Sequence, residues 1–248
     1  MSLLSLAVIG GRGRLGSAIV RLAEADSAFD SATVPAGREI PILNAFDVVI
    51  DVSHHSATEA LIEKAVVERK PLVIGTTGHT PEEREAIRKA SEKIVVVLAS
   101  NFSVGVNVLF HLTRKAAEIL GADYDQEIVE MHHRNKLDAP SGTARSLAEV
   151  LCEVKGKPYD ELVRDGRSGE PGKRTRDEIG MHALRGGDVI GDHVVVFAGT
   201  GERIELGHKA SNRDVFAIGA LRAAKWAHAR AKEAQPGLYS MQDVLGLR

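Results

Sequence analysis

Val8-Ile9-Gly10-Gly11-Arg12-Gly13-Arg14-Leu15-Gly16 is the stretch that decides the fold class. It closes a short apolar run, turns on glycine and opens a segment with helical spacing, and Gly10, Gly13 and Gly16 stand in G-x-x-G-x-x-G register. Where side chains are missing, backbone can approach a pyrophosphate, and the next helix turns unpaired N–H groups and its positive dipole end toward that anion. A plain structural turn also uses glycines; the strand before and the helix after favour a dinucleotide site. Gly10, Gly11, Arg12, Gly13, Arg14, Leu15 and Gly16 are therefore the candidate cofactor-binding residues of this turn.

Outward from the turn, residues 4–9, 48–52, 72–75 and 94–99 are runs of Val, Ile and Leu without polar alternation, as expected of strands buried on both faces. Between them, residues 17–24, 57–68 and 81–91 carry helical patterns. The last of these opens with Thr80-Pro81-Glu82-Glu83, an N-cap, a first-turn proline and a capping-box glutamate. Alternating strands and helices predict a parallel sheet with right-handed crossovers. A second strand is expected through residues 31–34, cut short by Pro35 and Gly37.

After Asn101 the pattern changes. Residues 104–120 read as a long helix and 126–132 as a strand ending in polar residues. Ser141 caps a helix whose apolar positions Ala144, Leu147, Ala148 and Leu151 follow i, i+3, i+4, i+7 spacing. Residues 156–180 lack apolar periodicity and read as a long loop, of a kind that is usually functional or mobile. Two short strands flank Gly199-Thr200-Gly201-Glu202, and an Ala-rich helix spans 215–230. The expected architecture is α/β: a Rossmann-like parallel-sheet domain of residues 1–103 and 213–248, plus a smaller α+β substrate-binding and oligomerisation domain of residues 104–212.

Composition narrows the function. Lys plus Arg (32) nearly balance Asp plus Glu (34), and the formal net charge of -2 offers no general attraction to nucleic acid. The single cysteine, Cys152, excludes an internal disulfide and a Cys-based zinc site, which suits the cytoplasm. No apolar run is long enough to span a bilayer, and Gly10-Gly11-Arg12 interrupts the first one where a signal peptide would stay apolar. No membrane or metal is expected.

The densest polar chemistry lies in Glu130-Met131-His132-His133-Arg134-Asn135-Lys136-Leu137-Asp138-Ala139-Pro140-Ser141-Gly142-Thr143. Cationic side chains beside a helix start make a site for a carboxylate, a small dicarboxylate suits it, and His132 or Lys136 can deliver a proton near neutral pH. Adjacent histidines on a strand point to opposite faces, so one of the pair can be structural. Surface or satisfied core histidines are an equally weighted reading of this segment taken alone. Arg213, before the closing helix, is a candidate second carboxylate ligand, though a solvated turn charge is the commoner fate of such a residue. Gly75-Thr76-Thr77-Gly78 and Ala99-Ser100-Asn101-Phe102 end buried strands, where open α/β sheets bind ligands. No carboxylate is well placed for the adenosine ribose. Arg38 is a candidate for a 2′-phosphate and Asp30 and Glu39 for a ribose, so NADH and NADPH both stay open.

Together these motifs resemble the dihydrodipicolinate reductase family. The resemblance runs through nearly the whole chain and is most specific in the E-x-H-H-x-x-K-x-D-A-P-S-G-T-A pattern, matched in full over residues 130–144; Gly191-Asp192-His193 and His208-Lys209-Ala210-Ser211 add to it. It implies that His132 is the acid/base residue and Lys136 a proton donor. It also implies that His133 and the Gly142-Thr143 backbone bind substrate carboxylates in a turn shaped by Ser141, and that residues 10–15, 75–77 (Gly75, Thr76, Thr77) and 99–102 line NADH or NADPH. The implied reaction delivers hydride to C4 of 4-hydroxy-tetrahydrodipicolinate, with loss of water, in diaminopimelate and lysine biosynthesis. The implied assembly is a homotetramer built through the sheets of the substrate domains.

Three positions depart from the family pattern: the ribose-binding acid lacks a clear counterpart, Ser100 replaces a usual proline, and Gly207 replaces a usual threonine. Another two-domain nicotinamide dehydrogenase and a non-catalytic dinucleotide sensor are the competing readings. An intact His132, Lys136 and Ser141-Gly142-Thr143 favours an enzyme over a sensor.

Overall fold

A computed structural model describes residues 3–35 and 40–247. The chain divides into two compact units, one reaching to Val104 and resuming at Arg213, the other comprising Gly105–Asn212.

The first unit alternates strands and helices: β1 (Leu4–Ile9), α1 (Arg14–Glu24), β2 (Phe29–Thr33), β3 (Val48–Asp51), α2 (Thr58–Val67), β4 (Leu72–Ile74), α3 (Pro81–Ser91) and β5 (Val95–Leu98). Its sheet has the order β2-β1-β3-β4-β5, every pair parallel. The alternation of side chains along each strand sorts them to two cores. Val8, Ile50, Val73 and Val97 pack with Ile19 of α1, whereas Ala7, Val49, Ile74 and Val96 pack with Leu61 of α2 and Ile87 of α3. The expected capping box at Thr80 and Glu83 forms in full. The second strand starts two residues earlier than the sequence pattern suggests, because Phe29 supplies its buried anchor.

The second unit follows as α4 (Val104–Leu120), whose first residue belongs to the first unit, then β6 (Asp125–His132), α5 (Gly142–Lys155), α6 (Tyr159–Leu162), β7 (Val163–Asp165), β8 (Ile179–Arg185), β9 (Gly191–Ala198) and β10 (Arg203–Ala210). The sheet order is β10-β9-β6-β8-β7. Its β10–β9–β6 pairs are antiparallel and its β6–β8–β7 pairs parallel. One face is buried: Ile128, Val195 and Phe197 pack against Leu147 and Leu151 of α5. The expected loop over residues 156–180 needs correction, since α6 and β7 occupy its first part. β7 gains its hydrogen bonds from β8, a partner that local periodicity cannot reveal. What remains, residues 166–178, is held by Arg174, which donates to Glu127, Asp125 and the carbonyls of Gln126 and Glu178.

The chain then completes the first unit with α7 (Asp214–Lys232), β11 (Gly237–Tyr239) and α8 (Met241–Leu245). The alanines of α7 enter the core with α1, β11 extends the parallel sheet beside β5, and Ser240 and Asp243 form a capping box on α8. β11 and α8 have no counterpart in the sequence reading. No helix among the described residues is long and apolar enough to cross a membrane.

Candidate active site

Two clusters of candidate residues form, one in each unit. In the first, the chain passes from β1 to β2 on one side and reaches β3 on the other, so the carboxyl ends of β1 and β3 border the switch point where open α/β sheets bind ligands. Gly10 turns there with φ +82°, and a Cβ on it would come 2.5 Å from the Val52 carbonyl oxygen. A Cβ at Gly16 would come 2.3 Å from the Gly10 oxygen, so helix α1 approaches the turn only because both residues are glycine. Gly13 N-caps α1 without any side-chain hydrogen bond, and no acidic residue stands in the first turn. That leaves a positive helix end with room for backbone-bound phosphate.

The neighbouring strand ends complete this edge. Thr76 is buried and its hydroxyl accepts from the Ser53 N–H at 3.1 Å. Gly75 leaves space for the ring of Phe102, which a Cβ would meet at 2.5 Å. Phe102 is itself buried, while the Asn101 side chain accepts from Ser103 N–H at 2.8 Å and Ala99 N–H bonds to Ile74. Gly10 to Gly16, Gly75 to Thr77 and Ala99 to Phe102 thus share one sheet edge, and the glycine cradle fits a dinucleotide pyrophosphate. Arg38 and Glu39 lie outside the described residues. Asp30 does not suit a ribose role: it is the second residue of β2, at the end of the strand away from the carboxyl edge.

In the second unit, Glu130 and His132 point to the buried face of β6 by strand alternation. Glu130 has no exposed surface, and its Oε2 lies 2.6 Å from His132 Nδ1. Arg185 of β8, directly opposite His132 in the register, donates to both carboxylate oxygens at 2.9 and 3.0 Å. Oε1 also accepts from the Ser141 N–H at 3.0 Å. Burial alone raises the Glu130 carboxyl, but hydrogen bonds from Arg185, His132 and Ser141 outweigh it and hold the group below its ordinary value. For His132, burial lowers the imidazole, Glu130 opposes that, and Lys136 and Arg185 add to it, with a net downward shift.

Around this pair, His193 of β9 sits edge-on to His132 with ring centroids 5.2 Å apart, and its Nε2 is 3.1 Å from the Ser141 hydroxyl. Burial first, then the charge of His132, takes His193 down to about 4, so it is neutral at physiological pH. Ser141 caps α5 by accepting from Ala144 N–H, and Gly142 opens the helix, whose first-turn amides have no acceptor within it. The Ala139-Pro140 bond leading into this cap is cis. Lys136 Nζ lies 2.8 Å from Asp138 Oδ1. Gly191 faces the His132 ring: a Cβ there would stand 2.9 Å from Nε2.

The models described as Dihydrodipicolinate reductase, N-terminus and Dihydrodipicolinate reductase, C-terminus match residues 36–102 and 105–245. A 4-hydroxy-tetrahydrodipicolinate reductase from Akkermansia muciniphila is 54% identical over 247 residues, 99% of each chain. The chain belongs to the dihydrodipicolinate reductase family.

A second such reductase, from Syntrophus aciditrophicus, is 42% identical across 99% of this chain and all of its own. The solved dipicolinate-bound dihydrodipicolinate reductase from Paenisporosarcina sp. TG-14 has the same fold, with a TM-score of 0.76 at 24% identity over 98% of this chain and 99% of that one. In this dihydrodipicolinate reductase family member, the second unit gathers His132, Ser141 and the start of α5 with Lys136 nearby, while His133 follows the end of β6 with Nδ1 buried. Arg213 is an exposed residue at the start of α7 in the first unit. Sequence reasoning gave no role to Glu130, Arg185, Gly191 or His193. Glu130 carried a local signal, an acid two residues before a strand histidine and hence on the same face, and Gly191 and His193 stood in a motif quoted for the resemblance; Arg185 had neither. Among the described residues no cluster suits a metal.

Proposed function

We propose that this protein is a reductase that uses NADH or NADPH to convert 4-hydroxy-tetrahydrodipicolinate to tetrahydrodipicolinate, in diaminopimelate and lysine biosynthesis. The observation that carries the reading is the buried Glu130–His132 pair beside Lys136 and the Ser141-capped start of α5, a proton-transfer group next to an anion site.

The Gly10–Gly16 turn, with Gly75 to Thr77 and Ala99 to Phe102, would hold the coenzyme, whose chemistry there would be hydride donation to substrate C4. The chain's own residues do the rest. The first turn of α5 and His133 take the two carboxylates, and the positive surroundings draw electron density from the conjugated imine, making it a better hydride acceptor. His132 Nδ1 is committed to Glu130, so Nε2 is the atom that exchanges a proton, and Gly191 keeps its approach free of a side chain. Lys136 Nζ is a second proton donor. Substrate, reduced coenzyme and one proton give tetrahydrodipicolinate, oxidised coenzyme and water.

The first unit is then the dinucleotide-binding domain and the second the substrate-binding and assembly domain, in a cytoplasmic homotetramer. Freshly generated 4-hydroxy-tetrahydrodipicolinate, offered with NADH and NADPH separately, tests the activity: coenzyme absorbance should fall with one or both. Folded protein that oxidises neither rules the reading out.

A further inference from the structure

We infer that Glu130 is a positioning residue: one buried carboxylate, clamped by Arg185, holds both the ring of His132 and the amide that starts α5. The inference rests on the reading of His132 as a proton-transfer group and adds how that group is made ready.

All of the acceptor capacity of Glu130 is used. Oε2 takes His132 Nδ1 and Arg185 Nη1, while Oε1 takes Ser141 N and Arg185 Nη2. An ionised carboxylate can only accept, so His132 Nδ1 carries the hydrogen of that 2.6 Å bond. The neutral ring is therefore held as its Nδ1–H tautomer, with the lone pair on Nε2, the atom facing Gly191. Arg185 keeps the carboxylate ionised and reaches further: Nη2 also donates to the Asp138 carbonyl at 2.6 Å, anchoring the loop that carries Lys136. A purely structural ion pair has no need to spend two of its acceptor sites on a histidine and a helix-cap amide.

The groups facing His132 come from four places: Glu130 on its own strand, Arg185 on β8, His193 on β9 and Lys136 on the following loop. Of these, only Glu130 favours the protonated ring.

Full-length Glu130→Gln is the test. Its kcat should fall at least about tenfold with KM for the coenzyme within about twofold, because the loss falls on proton transfer and the start of α5 and leaves the glycine turn of the first unit as it was. The His132 imidazole, followed by NMR, should titrate at lower pH than in the parent. Because Glu130→Gln leaves the half-buried Arg185 guanidinium without its carboxylate, Glu130→Gln/Arg185→Met is made alongside and removes both charges. There the slow kcat should persist, and the neutral His132 ring should populate the Nε2–H tautomer that the parent lacks. Parental kcat together with an unchanged tautomer in either folded variant overturns the inference. A parent that fails to reduce the substrate sinks the reductase reading instead, and the ring measurements still decide the role of Glu130.

Discussion

His193 faces Glu130 across the β6–β9 pair, with 3% of its surface exposed and Nδ1 buried without a hydrogen-bond partner among the described residues. Protonating such a ring would place a charge beside His132, Lys136 and the interior, which is why it stays neutral down to about 4. Stability follows from the sign of that shift. Above the unfolded value of 6.5 neither state binds the proton, and the native contribution is complete. Between 6.5 and about 4 the unfolded chain takes the proton and the native one refuses it, so stability is lost as pH falls through that window. The gap corresponds to an order of 3 kcal/mol. Urea unfolding at pH 7 and pH 4.5 should show a smaller acid loss in His193→Gln than in the parent, by about 2 kcal/mol. Equal losses would remove His193 from the acid response.

At the scale of elements, two serine caps make a controlled comparison. Ser141 caps α5 and shares its amide with Glu130; Ser240 caps α8 in the other unit and bonds to Gln242 and Asp243 within its own turn and capping box. Replacing either by alanine should cost about 1 kcal/mol. Ser141→Ala should also raise KM for the dicarboxylate or lower kcat, since it loosens the proposed carboxylate-binding turn, whereas Ser240→Ala should leave both at parental values. Steady-state kinetics beside thermal unfolding separate the two.

The same elements mark how far the fold was legible. The capping box of α3 and the glycine turn before α1 are written within a few residues, so both were readable. β7 and β11 are three-residue strands that exist because β8 and β5 supply their hydrogen bonds, and no local pattern announces such a strand.

For the whole molecule, the mixed sheet has two unlike faces. Ile128, Val195 and Phe197 are covered by α5, but Val129 and Val194, paired across the opposite face with Met131 and Val196 beside them, are half-buried and lie outside that core. This apolar patch, bordered on the same face by Glu127, Asp192 and His182, is suited to burial against other copies of the chain in the proposed tetramer. Light scattering should give the mass of four chains, and Val194→Glu should lower it while circular dichroism stays parental. A monomeric parent would defeat the proposal.

The sequence by itself determined the elements whose causes are local: glycines that admit a phosphate, serine and threonine caps, and apolar runs without polar alternation. It also carried the pattern over residues 130–144 that identifies the family. Only the tertiary structure decided how that segment works. Arg185 lies 55 positions after Glu130, and His193 is brought opposite Glu130 by the antiparallel register of β6 and β9. Hydrogen bonds of that kind depend on strand registry, which is set by the burial of a whole sheet face and not by any neighbour in the chain.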